Sequence, residues 1–342
     1  MEITIKEIAK LSGVSQATVS RVINNSAPVN EETKKRIEQI IKDNNFTPNA
    51  VARGLSNKQT NTIGVLIPDI SNPFFCEVLK GISCVAAENG LNIILCDTNE
   101  NQQKEIDFLN NLKREQLKGL IITPISDTNE FNSDYTDLLE GMNEPITLID
   151  RDVKYSNFDG VFIDNIKGAF DATTALINEG HKTIAIIAGP ATSKPGRDRL
   201  RGYKKAHLRN DILINEELIY YGDFSLQSGY ENTKKILNSK LKPTAIFSCN
   251  NLMTLGVLKA LKELNLKTPN DISLIGFDDI EILDILGLGI SAVSRPTFDM
   301  GKMAMEILIQ QFNKNDKRKD NIVNRITLIP ELILRGSEKL IK

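Results

Sequence analysis

Two groups of residues in this sequence have types and spacings that could do recognition chemistry. The first follows the Ser12-Gly13 interruption near the start: Ser15, Gln16, Thr18, Ser20 and Arg21 put hydroxyls, an amide and a guanidinium on the start and outer faces of one short segment. The second group lies just after a series of apolar runs. Asp69 to Phe75 (DISNPFF) follows IGVLI, Asp150-Arg151 follows ITLI, Arg197 to Arg201 follows AIIAG, Asn250 follows AIFS and Asp278 follows ISLIGF. Carboxylates, amides and guanidinium groups bind vicinal hydroxyls, and rings cover apolar C–H faces, so this inventory suits a polyhydroxylated ligand. Taken singly, each residue has a plainer account: Asp278 could cap a turn, Arg199 could serve a surface ion pair, and Phe74 and Phe75 could be core.

The elements that must position the first group are helical. In IKEIAKL, Ile5, Ile8 and Leu11 fall at helical spacing, and Ser12-Gly13 stops that helix. Ser15 can cap a second helix whose apolar positions are Val19, Val22 and Ile23, and a third runs from about Glu31 to Asn44 with Ile37, Ile40 and Ile41 closing a small core. A hairpin of this kind occurs in many α-rich proteins. The Gly13 turn, the capping serine, the polar helix start and the local charge are together what entry into a DNA major groove requires. The charge is asymmetric: residues 1–58 hold nine Lys and Arg against six Asp and Glu, a net of +3, so the chain total of −2 leaves −5 for the remainder.

The elements behind the second group alternate β-rich runs with helical segments from Ile63 to the end, which predicts parallel, doubly wound sheets in two tandem lobes. In such sheets ligands bind beyond the carboxyl ends of strands, where the second group lies. Between head and core, PNAVARGLSNKQT can form only a short helix interrupted by Gly54, below the ~12–15 residues at which isolated helices become marginal. An apolar Leu55 beside Arg53 suits minor-groove entry, whereas a plain linker gives no reason for the motif.

Composition excludes several functions. Cys76, Cys84, Cys96 and Cys249 form no C-x-x-C pair and read as small buried hydrophobes, and His181 and His207 are too few for a histidine-rich metal site, so no metal, cofactor or catalytic residue is expected. No window approaches a membrane span, and the start MEITIKEIAK lacks a signal-peptide core, which points to the cytoplasm.

The run ITIKEIAKLSGVSQATVSRVINN closely resembles the head of the lactose-repressor (LacI/GalR) family. The likeness extends through IGVLIPDISNPFF, IDR, GHKTIAIIAGP, RLRGY, GDFSLQSGY, PTAIFSCNNLMTLG and SLIGFDD, nearly the whole chain. It implies an α/β protein with an N-terminal helix-turn-helix DNA-binding domain and a periplasmic-binding-protein-like core of two doubly wound parallel-sheet lobes, similar to ribose-binding proteins. The expected domains are a head at 1–47, a hinge helix and linker at 48–60, an N-terminal lobe at 61–158 plus 292–324, and a C-terminal lobe at 159–291 plus 325–342. By the resemblance Ser15, Gln16 and Arg21 read base edges, Thr4, Thr18, Ser20 and Asn24 contact phosphates, and Asn49, Ala52 and Leu55 act in the hinge, Leu55 as a minor-groove wedge.

Effector contacts carried over in the same way are Asn72, Phe74, Phe75, Asp150, Arg151, Arg199, Phe224, Asn250 and Asp278. Asp150-Arg151 points toward a pentose. One departure is Arg295, where ribose-type members carry Gln before the crossover proline; an added cation could favour an acidic or phosphorylated sugar. The expected molecule is a homodimeric repressor of palindromic operator DNA under sugar control. A sugar-active enzyme is the first rival, but neither G-x-G-x-x-G after the first strand nor G-x-x-x-x-G-K-[ST] occurs. A transport-type sugar-binding protein is the second, and the DNA head speaks against it.

Overall fold

A computed structural model describes residues 3–24, 27–44, 46, 60–125, 129–312 and 323–341. The chain divides into two compact units, residues 1–60 and 61–342.

In the first unit, α1 (Ile5–Ser12), α2 (Gln16–Asn24) and α3 (Glu31–Asp43) pack around buried Ile8, Ala9, Val19 and Ile37. Each helix begins on a side-chain oxygen that satisfies an otherwise unpaired amide. Thr4 and Glu7 form a reciprocal capping box, with Thr4 Oγ1 accepting from the Glu7 amide at 3.3 Å and Glu7 Oε2 accepting from the Thr4 amide at 2.7 Å. Ser15 Oγ accepts from the Thr18 amide at 3.2 Å, and Asn30 Oδ1 from the Glu32 amide at 2.9 Å. Gly13 ends α1 at φ 69°, a left-handed conformation open to glycine without Cβ strain. The hinge expectations at Asn49, Ala52 and Leu55 lie outside the described residues.

The second unit alternates strands and helices: β1 (Thr62–Ile67), α4 (Pro73–Glu88), β2 (Asn92–Asp97), α5 (Gln102–Leu112), β3 (Gly119–Ile122), α6 (Asn129–Glu140), β4 (Ile146–Ile149), β5 (Asp159–Ile163), α7 (Asn165–Asn178), β6 (Ile184–Ala188) and α8 (Lys194–Arg209). Then come β7 (Ile219–Tyr221), α9 (Leu226–Leu237), β8 (Ala245–Ser248), α10 (Asn251–Glu263), β9 (Ser273–Phe277), α11 (Glu281–Ile285), β10 (Ser291–Ser294), α12 (Thr297–Phe312), β11 (Arg325–Leu328) and β12 (Glu331–Ile333). Among the described residues they build two six-stranded sheets, in the orders β11-β5-β4-β3-β1-β2 and β12-β10-β9-β8-β6-β7. All pairings are parallel except β10 with β12. Central strands such as GLII and SLIGF are buried throughout because helices cover both faces, which is why they read as unbroken apolar runs.

The lobe boundaries differ from those expected at 158/159, 291/292 and 324/325. Strand β5 extends β4 in register (Thr147 opposite Asp159), so the chain leaves the first lobe after β5 rather than before it. β10 completes the second sheet beside β9, and β11 returns to the first sheet beside β5. The expected segment 292–324 is therefore split, with its strand in the second lobe and α12 packed on α4 in the first. Apolar runs reveal strands; ladder partners depend on three-dimensional closure of each sheet.

Helices α4 and α12 cross at Gly81 and Gly301, where backbone meets backbone: a Cβ on Gly301 would sit 2.0 Å from the Val78 carbonyl oxygen. Gly301→Val should destabilise the protein by about 1–3 kcal/mol through overpacking, measured by urea unfolding, with exposed Glu306→Ala as a same-helix control near zero.

Glu105 on α5 is fully buried, with Oε1 accepting from Tyr135 Oη at 2.6 Å and Oε2 from the Ile125 amide at 3.2 Å. Burial pushes its carboxyl up to about 7, the two hydrogen bonds only partly opposing the shift. Because the folded value is raised, the stability from its neutral form is complete below the ordinary glutamate range and is lost as pH climbs to about 7. Glu105→Gln should remove that part of the slope, on the order of 3 kcal/mol between pH 4.5 and 8. The check is the difference in unfolding free energy between the two pH values, compared for variant and parent.

Of the four cysteines expected to be buried, Cys96 and Cys249 are, whereas Cys76 and Cys84 are exposed on the outer face of α4. His181 and His207 are structural: His181 bridges Thr244 Oγ1 at 2.8 Å and the Glu338 carbonyl at 3.0 Å, and burial lowers both imidazoles. Among the described residues no helix is long and apolar enough to cross a membrane.

Candidate functional site

The carboxyl ends of the two sheets face one cleft, and all ten residues expected to contact an effector line it: Asn72, Phe74, Phe75, Asp150, Arg151, Arg199, Phe224, Asn250, Asp278 and Arg295, with Glu100 and Pro195 added. Their placement follows from the elements. Asn72 caps α4 through Oδ1, accepting from the Phe74 amide at 3.0 Å, which turns Phe74 and Phe75 inward. Asn250 caps α10, accepting from the Met253 amide at 2.9 Å, while its Nδ2 donates to the Phe224 carbonyl at 2.8 Å.

Asp150 and Asp278 occupy equivalent positions in the two lobes. Each follows a strand, β4 or β9, and each donates its amide to the carbonyl of the next strand, Val161 or Val293, at 2.9 Å. Both adopt left-handed backbone, φ 62° and 74°, as does Phe224 at φ 68°. Three non-glycine residues in that region store roughly 1–3 kcal/mol of strain each. The ring of Phe224 fits only because Gly189 lacks a side chain: a Cβ there would meet it at 2.3 Å.

Three buried guanidinium groups are held differently. Arg295 bridges both aspartates, with Nη1 to Asp150 Oδ1 at 2.8 Å and Nε to Asp278 Oδ1 at 2.5 Å, and it stacks 3.6 Å from the centroid of Phe74. Arg151 forks onto Glu100 at 2.5 and 2.9 Å, and its buried Nε has no hydrogen-bond partner among the described residues. Arg199 donates to Asn165 Oδ1 at 2.8 Å and to the Cys249 carbonyl, both neutral, and lies 3.8 Å from the Phe277 centroid. Burial, with the Arg295 charge beside it, pulls Arg199 down to about 10. The cation expected at Arg295 is thus present but committed to two carboxylates. Across the cleft, Asn251 Nδ2 donates to Asn72 Oδ1 at 2.9 Å.

Glu100 and Asn251 were missed in the sequence, though the strand-end rule that found eight of the ten would have reached them: Glu100 lies just past the end of β2, and Asn251 adjoins Asn250. Within 197–201, only Arg199 lines the cleft.

In the head, Gln16 and Arg21 are exposed on α2, Ser20 is half-buried, and Ser15 and Thr18 hydroxyls lie 2.9 Å apart. Thr4 spends its hydroxyl on Glu7 Oε2 at 2.9 Å. Asn24 lies at the end of α2, and its side chain is outside the described residues. The described groups of three or more His, Cys, Asp or Glu include none that could hold a metal.

The chain matches the family model for bacterial regulatory proteins of the lacI family over residues 4–49 and that for a periplasmic binding protein-like domain over residues 173–337. It is 36% identical to catabolite control protein A of Priestia megaterium, covering 92% of this chain and 94% of that protein. It resembles the crystal structure of the lac repressor dimer bound to operator and the anti-inducer ONPF at TM-score 0.85 and 26% identity, over 99% of this chain and 100% of that one. A LacI family transcriptional regulator from Enterococcus faecium with bound ribose matches at TM-score 0.72 and 26% identity, over 82% and 100%. With a three-helix head and a two-lobed parallel-sheet core matched along nearly its full length, this chain belongs to the lacI family of bacterial regulatory proteins.

Proposed function

We propose that the protein is a transcriptional repressor that acts in the cytoplasm as a homodimer, binds palindromic operator DNA through its head, and responds to a small sugar or sugar derivative bound between the core lobes. The observation that carries this reading is the meeting of ten polar and aromatic strand-end residues in one cleft on the same chain as a helix-turn-helix head. In the head, Gln16 and Arg21 are exposed side chains of the bidentate type that reads adenine and guanine edges. Thr4, Ser15, Thr18, Ser20 and Asn24 supply short polar groups for phosphates or base edges, and the capping bonds of Thr4 and Ser15 fix their helix starts at the same time. In residues 48–60, Asn49, Ala52 and Leu55 carry the hinge contacts.

The lac repressor dimer supports pairing, as do exposed apolar residues on the edge strand β2 (Ile94 and Leu95) and around α11 (Ile282, Ile285 and Leu286), which would leave water in a two-fold interface. A ligand that prefers one arrangement of the lobes shifts their population and, through the hinge, the operator affinity; only that differential affinity does work. The ribose-bound relative favours a polyol, for which Asp150, Asp278 and Asn250 offer acceptors and donors.

The test has two arms. A binding-site selection should yield a palindrome for the parent and lose preference at one base of each half-site for Arg21→Ala, a cost of about 1–3 kcal/mol in specific but not in random-sequence binding. A thermal-shift panel of pentoses, hexoses, sugar acids and sugar phosphates should give at least one hit that changes operator affinity. Unchanged selectivity in Arg21→Ala, or a panel with no hit, refutes the corresponding half.

A further inference from the structure

The central polar groups of the cleft already have a partner. Arg295 sits at the crossover between β10 of the second lobe and α12 of the first, and its side chain is almost wholly enclosed, 3% exposed, between Asp150 of the first lobe and Asp278 of the second, whose side chains are 6% and 8% exposed. One face lies on the ring of Phe74. A neutral sugar needs these same elements: carboxylates to accept its hydroxyls and a ring to cover its C–H face. We propose that Arg295 is a built-in latch that closes the cleft by its own side chain and sets effector specificity against neutral sugars. The proposal rests on the sugar-responsive reading of the cleft and adds what decides which sugars enter.

Asp150 and Asp278 come from opposite lobes and face one site, so without a cation between them closure would bring two carboxylates together in a medium of low dielectric. Arg295 reverses the sign of that interaction. Its planar fork can direct Nε to one acid and Nη1 to the other, which the single ammonium of a lysine cannot reproduce with the same geometry. The lobes are then held together by the chain itself, aided by the bond from Asn251 to Asn72. A neutral sugar must displace a charge-assisted, stacked guanidinium to reach either aspartate. Replace the guanidinium with an uncharged amide, and closure becomes conditional on a polyol whose hydroxyls bridge the two acids.

The experiment compares the full-length parent with Arg295→Gln by hydrogen exchange without ligand and by thermal shift with D-ribose, D-xylose and D-glucose. The variant should exchange at least about tenfold faster in residues 69–75 and 250–254, on both sides of the cleft, with the sheet strands unaffected. It should also gain a melting shift of several degrees with at least one of the three sugars, where the parent shifts by about a degree or less. Equal exchange in the two proteins overturns the latch, and so does a parent that responds to these sugars as strongly as the variant. Faster exchange with no response to these three sugars in either protein leaves the latch standing but overturns its part in specificity, and the sugar reading is then decided separately by the wider panel of sugar acids and sugar phosphates, so the two fail separately. If Arg295→Gln does not fold, Arg295→Lys, which keeps the charge but not the fork, should show the same changes more weakly; identity with the parent would again overturn the proposal.

Discussion

With every strand of the first sheet, and all but β12 of the second, running the same way, the carboxyl ends of each sheet fall on one edge, and the loops that leave them cannot avoid each other. Two such sheets in the same strand order, joined by crossovers, bring both edges to one cleft. That is how residues as distant in sequence as Asn72 and Asn251 come within hydrogen-bond reach. The repeated order also explains why the two aspartates match: β4 and β9 are equivalent strands, and each delivers an acid in left-handed backbone whose amide is tied to the next strand.

Such a cleft gathers charge, and buried charge is costly unless paired and hydrogen-bonded. The protein meets the cost in three ways: Arg295 between two acids, Arg151 forked onto Glu100, and Arg199 held by neutral oxygens and an aromatic face. The last is the least compensated, which is why its proton is held less tightly than that of an ordinary arginine. Truncating one partner of such a set leaves an unpaired ion, so effects at these positions will exceed the sum of the visible contacts.

Much of this was legible in the sequence because it depends on local pattern. Helical spacing, the Ser12-Gly13 stop and capping residues located α1 to α3 within a residue or two; the strand-end rule found eight residues that the fold brings together, and the family resemblance added Phe224 and Arg295. The illegible part depends on pairing. No pattern in FDGVFID states that β5 joins β4, or that β10 and β11 belong to different sheets, because an apolar run buried on both faces looks the same beside any neighbour. For the same reason the charge of Arg295 was visible but not its commitment: the sequence shows a cation near a cleft, and only the geometry shows two carboxylates around it. Glu105 was hidden in a different way, since a glutamate in QQKEIDFLNNL reads as solvated until the helix is seen to turn it against Tyr135.

A change in the angle between the lobes must be absorbed at the crossovers, where the chain passes from one lobe to the other. Two of these passages also carry polar groups that line the cleft or hold a residue that does. After β5, Asp164 caps α7 and the next residue, Asn165, orients Arg199. After β10, Arg295 grips both aspartates before α12 begins. In an otherwise repeated pair of lobes the equivalent passages therefore carry an amide in one half and a guanidinium in the other. Groups at these joints feel any lobe rotation directly, while those deep in either sheet do not. The cleft's chemistry and its mechanics thus share residues, and a molecule that alters the bonding of Arg199 or Arg295 acts on the joint itself.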